Sequence, residues 1–98
     1  MNPDTIKVDL GTYGNYSTEN YGSSRYVSIG PLTLYFSYRT VVAFRCPKFG
    51  LVVCENVWSR TTGKHLNWLE PEKKRRHVYK DFMGMLEETL QHYGLAVN

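Results

Sequence analysis

Apolar and polar residues alternate with a period of two through most of the first 58 residues of the chain. The alternation is clear in Thr5–Leu10 and Arg25–Ile29, and it is longest in Leu32–Cys46, where apolar residues fall on even positions. In Leu51–Trp58 a strand would place Leu51, Val53 and Val57 on one face. Because successive side chains of a β-strand point to opposite faces, this pattern predicts strands. A single strand of about 15 residues would exceed the usual length of 3–10. We therefore expect a bend or a hairpin near residues 39–41.

A turn at Pro47–Gly50 separates the longest alternating stretch from the strand that follows it. If this turn places Cys46 opposite Leu51, then Cys54 lies opposite Ala43, and the two cysteines are poorly placed for a disulfide bond with each other. We therefore expect both cysteines to be small hydrophobic residues, in the core or half-buried, that are not linked to each other.

The pattern changes after the last predicted strand. Residues 59–70 are mostly polar and contain a glycine, so we expect a loop there. Pro71 is favourable in the first turn of a helix, and Gly94 is favourable just after a last turn. Between them, apolar residues recur at every fourth position: Val78, Phe82, Leu86 and Leu90. This spacing predicts an amphipathic helix over about residues 71–93 whose apolar side covers a sheet.

Together these elements predict a single α+β domain, residues 1–98. About five mainly antiparallel strands within residues 5–58 would form a sheet with the C-terminal helix on one face, a two-layer sandwich. The other face would stay open to solvent or a partner. No apolar run reaches about 18 residues, and the N-terminus lacks the features of a signal peptide. We therefore expect a cytoplasmic protein without a membrane segment.

Positive charge is concentrated in one part of the chain. The net charge is only +3, but the segment Trp58–Lys80 contains seven basic residues against two glutamates. The four consecutive cations Lys73–Arg76 would lie in the first turn of the predicted helix, where they oppose the helix dipole. Such an arrangement indicates either a binding role or a solvated helix start. The nearby aromatic residues Trp58, Trp68 and Tyr79 would suit stacking on nucleic-acid bases, or they would belong to the core.

A second unusual segment, Gly11–Ser24 (GTYGNYSTENYGSS), combines tyrosine with glycine, serine and asparagine. Binding loops use this mixture, because tyrosine supplies rigid contact area and small polar residues supply adaptable hydrogen bonds. The segment is therefore interpreted as an ordered connection with a contact surface formed by Tyr13, Tyr16 and Tyr21. The alternative is a connection whose tyrosines cover the end of the sheet.

Catalytic and metal-binding patterns are weak. The cysteines and histidines are widely spaced, without the close pair that begins most structural zinc sites. Thr62-Gly63-Lys64 resembles the end of a phosphate loop but lacks the upstream glycine and the Ser or Thr after the lysine. A pair such as Cys54 and His65 has no orienting carboxylate in the sequence pattern. We expect no metal, no cofactor and no enzyme activity, with His65 a hydrogen-bonding loop residue.

Three stretches of the chain resemble a family of small, uncharacterised proteins carried by phages, prophages and other bacterial mobile elements. These stretches are GTYGNYSTENYG, LTLYFSYRTVVAF and GLVVCENVWSRTTGKHLNWLE, of which WSRTTGKHLNWL is the most specific. The resemblance implies a small cytosolic protein of a bacterial host cell, and it favours order in the tyrosine segment. It does not point to any particular biochemical activity.

Two functional hypotheses follow. The first is a non-enzymatic phage-type binding protein, such as an anti-CRISPR-like anti-defence inhibitor, that blocks a surface of a host protein or ribonucleoprotein complex. The alternative is a small nucleic-acid-binding protein that binds RNA or DNA through the basic region 58–80. Neither hypothesis fixes the oligomeric state. The predicted partner-binding residues are Tyr13, Tyr16, Tyr21, Arg60, Lys64, His65, Lys73, Lys74, Arg75 and Arg76.

Overall fold

The computed structural model describes residues 7–14 and 24–95. Five strands form one antiparallel sheet in which each strand pairs with its neighbours in the sequence. The strands are β1 (Val8–Thr12), β2 (Ser24–Ile29), β3 (Leu32–Ser37), β4 (Thr40–Cys46) and β5 (Gly50–Val53), followed by α1 (Arg60–Leu69), a 3-10 turn (Lys73–Arg75) and α2 (Tyr79–His92). The predicted α+β class, with a five-stranded antiparallel sheet and a C-terminal helix, is confirmed. Of the first predicted strand, residues 5 and 6 lie outside the described residues.

The long alternating stretch is a hairpin with a β-bulge. Ser37 pairs with Thr40, so the turn consists of Tyr38 and Arg39, slightly earlier than predicted. The register shifts farther along the hairpin and leaves one extra residue, Val42, in β4. A two-residue turn alone would put odd positions of β4 opposite even positions of β3. The bulge corrects this offset, which explains why the apolar residues fall on even positions at both ends of the stretch.

The turn between β4 and β5 differs by one residue from the prediction. Cys46 pairs with Gly50 instead of Leu51, and Gly50 adopts a positive φ of 70° at the start of the strand. The backbone N–H of Cys54 donates to the carbonyl of Val42, so Cys54 does not lie opposite Ala43. Both cysteines are nevertheless buried with free thiols, and the prediction that they are not linked to each other is confirmed.

Helix α2 covers one face of the sheet, which we call the α2 face. Phe82 and Leu86 are buried there against side chains of three strands, among them Phe44 and Val52. The predicted apolar stripe is therefore confirmed, but the predicted helix start at Pro71 is wrong. Helix α2 begins at Tyr79, because the residues before it run beside the sheet edge: His77 accepts from the N–H of Glu55 and donates to the carbonyl of Val53.

The predicted loop over residues 59–70 is also wrong, because this segment is largely helix α1. Ser59 caps the helix by accepting a hydrogen bond from the N–H of Thr62 at 3.2 Å. Leu66 packs with Ala43 and Val53, which alternate with the residues that face α2. The sheet therefore carries a helix on each of its faces, and the predicted two-layer sandwich gains a third layer. We call the second side the α1 face.

Candidate nucleic-acid interface

Four of the predicted basic residues line one groove, between α1 and the 3-10 turn. The groove has a volume of about 370 Å³. Its lining consists of four cationic residues, two asparagines and a glycine: Arg60, Lys64, Lys73, Arg76, Asn56, Asn67 and Gly63. We call this the basic groove. The structure thus brings together cations that are up to 16 positions apart in the sequence.

One wall of the basic groove is a single side of α1. Arg60, Lys64 and Asn67 follow one another at intervals of four and three residues, which places them on the same helix side. Gly63 lies between them and has no side chain. A Cβ atom at this position would lie 2.9 Å from Nδ2 of Asn56. The absence of a side chain at Gly63 therefore allows Asn56 to pack against the helix.

Asn56 is fixed by the chain that leads into α1. Its Nδ2 donates to the carbonyl of Ser59 at 2.9 Å, and its Oδ1 accepts from the N–H of Trp58 at 3.0 Å. These two bonds hold the amide at the entrance of the helix. The polar floor of the groove is thereby preorganised before any ligand enters.

The opposite wall is held by Arg76. Its Nε donates to the carbonyl of Glu70 at 3.0 Å, and its Nη2 donates to Oδ1 of Asn67 at 2.7 Å. These bonds fasten the turn to α1, whereas Lys73 on the same turn is exposed. Lys74 and Arg75 are exposed as well, but neither lines the groove. The four cations belong to the 3-10 turn and its end, so they do not lie in the first turn of α2 as predicted.

The carboxylates near the basic groove bond to backbone groups. Oε2 of Glu70 accepts from the N–H of Glu72 at 3.1 Å, and Oε2 of Glu55 accepts from the N–H of Tyr79 at 2.7 Å. Among the lining residues in ranges 7–14 and 24–95, none is acidic. An anion that enters the groove therefore meets the cationic and amide groups of these residues.

Tyr13 is not an exposed contact residue as predicted. Only 4% of its surface is accessible, and its hydroxyl donates to the carbonyl of Phe36 at 2.9 Å. Ser24 fixes its backbone on both sides, since Oγ donates to the Tyr13 carbonyl and the Ser24 carbonyl accepts from the Tyr13 N–H. Burial raises the pKa of Tyr13 well above its usual value, with a smaller contribution from Tyr35. Tyr16 and Tyr21 lie outside the described residues.

His65 is likewise buried, with no accessible surface, and it belongs to α1 instead of a loop. Its Nδ1 shares a hydrogen bond of 2.8 Å with Oγ of Ser37, which in turn lies 2.8 Å from Oγ1 of Thr62. The predicted hydrogen-bonding role of His65 is confirmed, but the side chain fastens α1 to β3. Of the predicted contact residues within the described ranges, only the cations are accessible.

The Cys54 thiol is not activated as a nucleophile. Cys54 is fully buried, and burial followed by the charge of Glu55 raises its pKa to about 12. The thiol therefore stays protonated at neutral pH and is a poor nucleophile. Within residues 7–14 and 24–95, no three His, Cys, Asp or Glu side chains lie close enough together to hold a metal ion.

Sequence reasoning missed the two asparagines of the basic groove. Asn67 could have been found, because its spacing from Arg60 and Lys64 is that of one helix side. Asn56 could have been recognised with Ser59 as part of a helix start, since both residue types bond readily to nearby backbone. The prediction of a loop over residues 59–70 removed both signals.

Comparison with curated proteins and comparison with solved structures each give no match. In the part of the chain that the structure describes, no helix is long and apolar enough to cross a membrane. Residues 8–85 match a family of unknown function, DUF8033, and this range contains every residue that lines the basic groove. The chain therefore belongs to the DUF8033 family.

Proposed function

We propose that the protein is a non-enzymatic binding protein that holds the phosphate backbone of a nucleic acid in the basic groove. One observation carries this proposal: four cationic side chains from two separate segments converge on one cavity, and none of the described residues that line it is acidic. Phosphate contacts supply most of the sequence-independent affinity of nucleic-acid-binding proteins.

The groups in the groove suit phosphate oxygens. Arginine and lysine form charge-assisted hydrogen bonds to phosphate, and asparagine side chains also bond to it. Arg76 is already oriented by its bonds to Glu70 and Asn67, so little of its conformational freedom remains to be lost on binding. Lys74 and Arg75 follow Lys73 and are also exposed. They extend the positive surface that a longer nucleic acid could contact.

A salt titration tests the proposal. The affinity of the wild-type protein for an oligonucleotide, measured by fluorescence anisotropy, should fall steeply between about 50 and 200 mM salt. Replacing Lys64→Gln and Lys73→Gln together should weaken binding and reduce the slope of log K against log salt by about 1.4 on single strands.

The matched control is the double replacement Lys48→Gln and Lys80→Gln. It removes the same charge from residues that do not line the groove, and Lys48 instead pairs with Glu88 at 2.7 Å. This control should retain most of the affinity. Equal losses in both double variants would show that net charge alone explains binding, and the proposal would be abandoned.

A second candidate function is the predicted anti-defence inhibitor of a phage-type protein in the bacterial cytoplasm. It is favoured by an uncovered apolar part of the α2 face, where Val8 and Leu10 are 55% and 74% exposed. A shallow groove of about 650 Å³ follows Leu10 there and includes Arg25 and Arg39. An apolar protein surface flanked by carboxylates would complement it.

Capture of partners from a bacterial lysate separates the two candidates. The inhibitor candidate predicts one identifiable effector protein that is retained after nuclease treatment and lost with Leu10→Glu. The nucleic-acid candidate predicts that nuclease removes the captured material and that Leu10→Glu has no effect.

A further inference from the structure

An open pocket lined by aromatic rings lies on the α1 face, next to the basic groove. Its volume is about 350 Å³, within the range of small-molecule sites. The rings come from three strand-region tyrosines and one helix residue: Tyr13, Tyr26, Tyr35 and Trp68. Arg45 and the hydroxyl of Thr33 add polar groups to the lining. We call this the aromatic pocket.

The rings of the aromatic pocket are held in fixed positions. The hydroxyl of Tyr13 donates to the backbone carbonyl of Phe36. The Tyr13 ring packs edge-to-face against Tyr35, with ring centroids 5.4 Å apart. Its ring also lies 5.7 Å from that of Trp68, at an interplanar angle of 41°. The buried Tyr13 thus supports the two outer rings, and a flat ligand would find a preorganised surface.

Tyr26 completes the pocket on the side of the sheet edge. It pairs with Tyr35 across the strands, and the two ring centroids lie 6.5 Å apart. A Cβ atom at Gly11 would lie 2.6 Å from the Tyr26 ring, so the ring rests directly on the β1 backbone. The glycine is therefore needed for this ring position.

Trp68 links the pocket to the basic groove. It follows Lys64 by four residues, so the two side chains are neighbours on the surface of α1. The residue is 51% exposed although tryptophan has the largest side chain of the amino acids. The exposed side of α1 thus presents cations towards the basic groove and an aromatic face towards the pocket, with Arg45 exposed on the sheet beyond.

We propose that the aromatic pocket accepts an unpaired base of a single-stranded nucleic acid while neighbouring phosphates lie in the basic groove. This inference rests on the proposed function and names its ligand class. Bases stack on aromatic side chains in single-strand-binding proteins, and Arg45 adds a cation beside the ring system. A base inside a duplex is already stacked and paired, so it cannot enter the pocket without being extruded.

The experiment compares three probes of about 12 nucleotides, a length typical of single-strand sites. They are a single strand, an abasic sugar–phosphate strand with the same phosphates, and a duplex. The wild-type protein should bind the base-bearing strand between about fivefold and 150-fold more tightly than the abasic strand for one stacked base. It should also prefer the single strand to the duplex.

Trp68→Ala should abolish the preference for bases, whereas Trp58→Phe should keep it. The double variant Lys64→Gln, Lys73→Gln should bind both the base-bearing and the abasic strand more weakly. The ratio of the two affinities should stay the same. If Trp68→Ala does not fold by circular dichroism, the Trp58→Phe protein provides the test, since Trp68 is then the only tryptophan in the chain. The base-bearing strand should quench its fluorescence, and the abasic strand should not.

Two failures can be told apart. Binding that depends on the lysines but not on bases, or that favours the duplex, overturns the stacking inference and leaves the proposed function in place. Binding that does not depend on the lysines overturns the proposed function itself.

Discussion

The two faces of the sheet bury different kinds of side chain. Under α2, the buried residues are apolar except for Thr89, whose hydroxyl donates to the carbonyl of Met85 in the same helix, and Phe44, Phe82 and Leu86 fill most of the space. Under α1, buried polar groups such as Ser37, Thr62 and His65 lie among a few aliphatic residues. Apolar burial is non-directional, whereas a buried hydrogen-bond network fixes orientation. We therefore expect the α2 face to contribute most of the stability of the fold and the α1 face to position the proposed binding surfaces.

The largest effect on stability is expected in the α2 core. Phe82→Ala removes a fully buried ring that contacts Phe44 at a centroid distance of 5.8 Å. We expect the free energy of unfolding to fall by about 3–5 kcal/mol, as measured by urea denaturation. Met83→Ala, one position along and exposed, should cost far less. Similar costs at both positions would contradict the assignment of the core.

A smaller loss is expected in the polar network under α1. Ser37→Ala removes the hydroxyl that bonds both Nδ1 of His65 and Oγ1 of Thr62, so two buried hydrogen bonds between β3 and α1 are lost. This should lower the free energy of unfolding by about 1–3 kcal/mol. A double-mutant cycle with Thr62→Val measures the coupling between the two hydroxyls. A coupling near zero would show that the network does not hold α1.

Tyr13→Phe tests how much the buried hydroxyl of Tyr13 contributes to stability and how this contribution changes with pH. Loss of the bond to Phe36 should cost about 1 kcal/mol at neutral pH. Because burial raises the pKa of Tyr13 in the folded state, its contribution is complete below the unfolded value near 10 and is lost as the pH rises above it. Wild-type stability should therefore fall above about pH 10, more steeply than that of Tyr13→Phe.

The control for this prediction is Tyr38→Phe, which removes an exposed hydroxyl instead. If the alkaline loss of stability is reduced equally by both substitutions, the buried position of Tyr13 is not its cause.

The smallest effect compares one glycine in each helix. Gly84 in α2 has no atom within 4 Å of an added Cβ, so Gly84→Ala should raise the free energy of unfolding by about 0.5–1 kcal/mol through helix propensity. Gly63→Ala in α1 should gain less, because the added methyl group displaces Asn56. Thermal unfolding of the two variants measures the difference. An equal gain would mean that Asn56 does not pack tightly against α1.

The sequence pattern predicted the α2 face well and the α1 face poorly. Alternation and the four-residue spacing of Phe82 and Leu86 are local signals of apolar burial, and the structure confirms both. The buried side of α1 is formed by Thr62, His65 and Leu66, of which only one is aliphatic. Periodicity cannot detect a polar residue that is buried because a distant strand supplies its hydrogen-bond partner.

The basic groove was predicted in its composition but not in its geometry. The cations are visible in the sequence, but their convergence depends on the pairing of His77 beside β5, which sets where the 3-10 turn lies. That pairing is a tertiary contact without a local signal. The same holds for the burial of Tyr13, since its partner Phe36 lies 23 positions away.

The most direct test of this account is an NMR titration of the isotope-labelled protein with a single-stranded oligonucleotide. Amide shifts should change along the exposed side of α1 and in residues 73–76, together with the indole signal of Trp68, while Val52, Phe82 and Leu86 remain unchanged. Shifts concentrated at Leu10, Val27 and Arg39, with the basic groove unaffected, would contradict the assignment of binding to the α1 face.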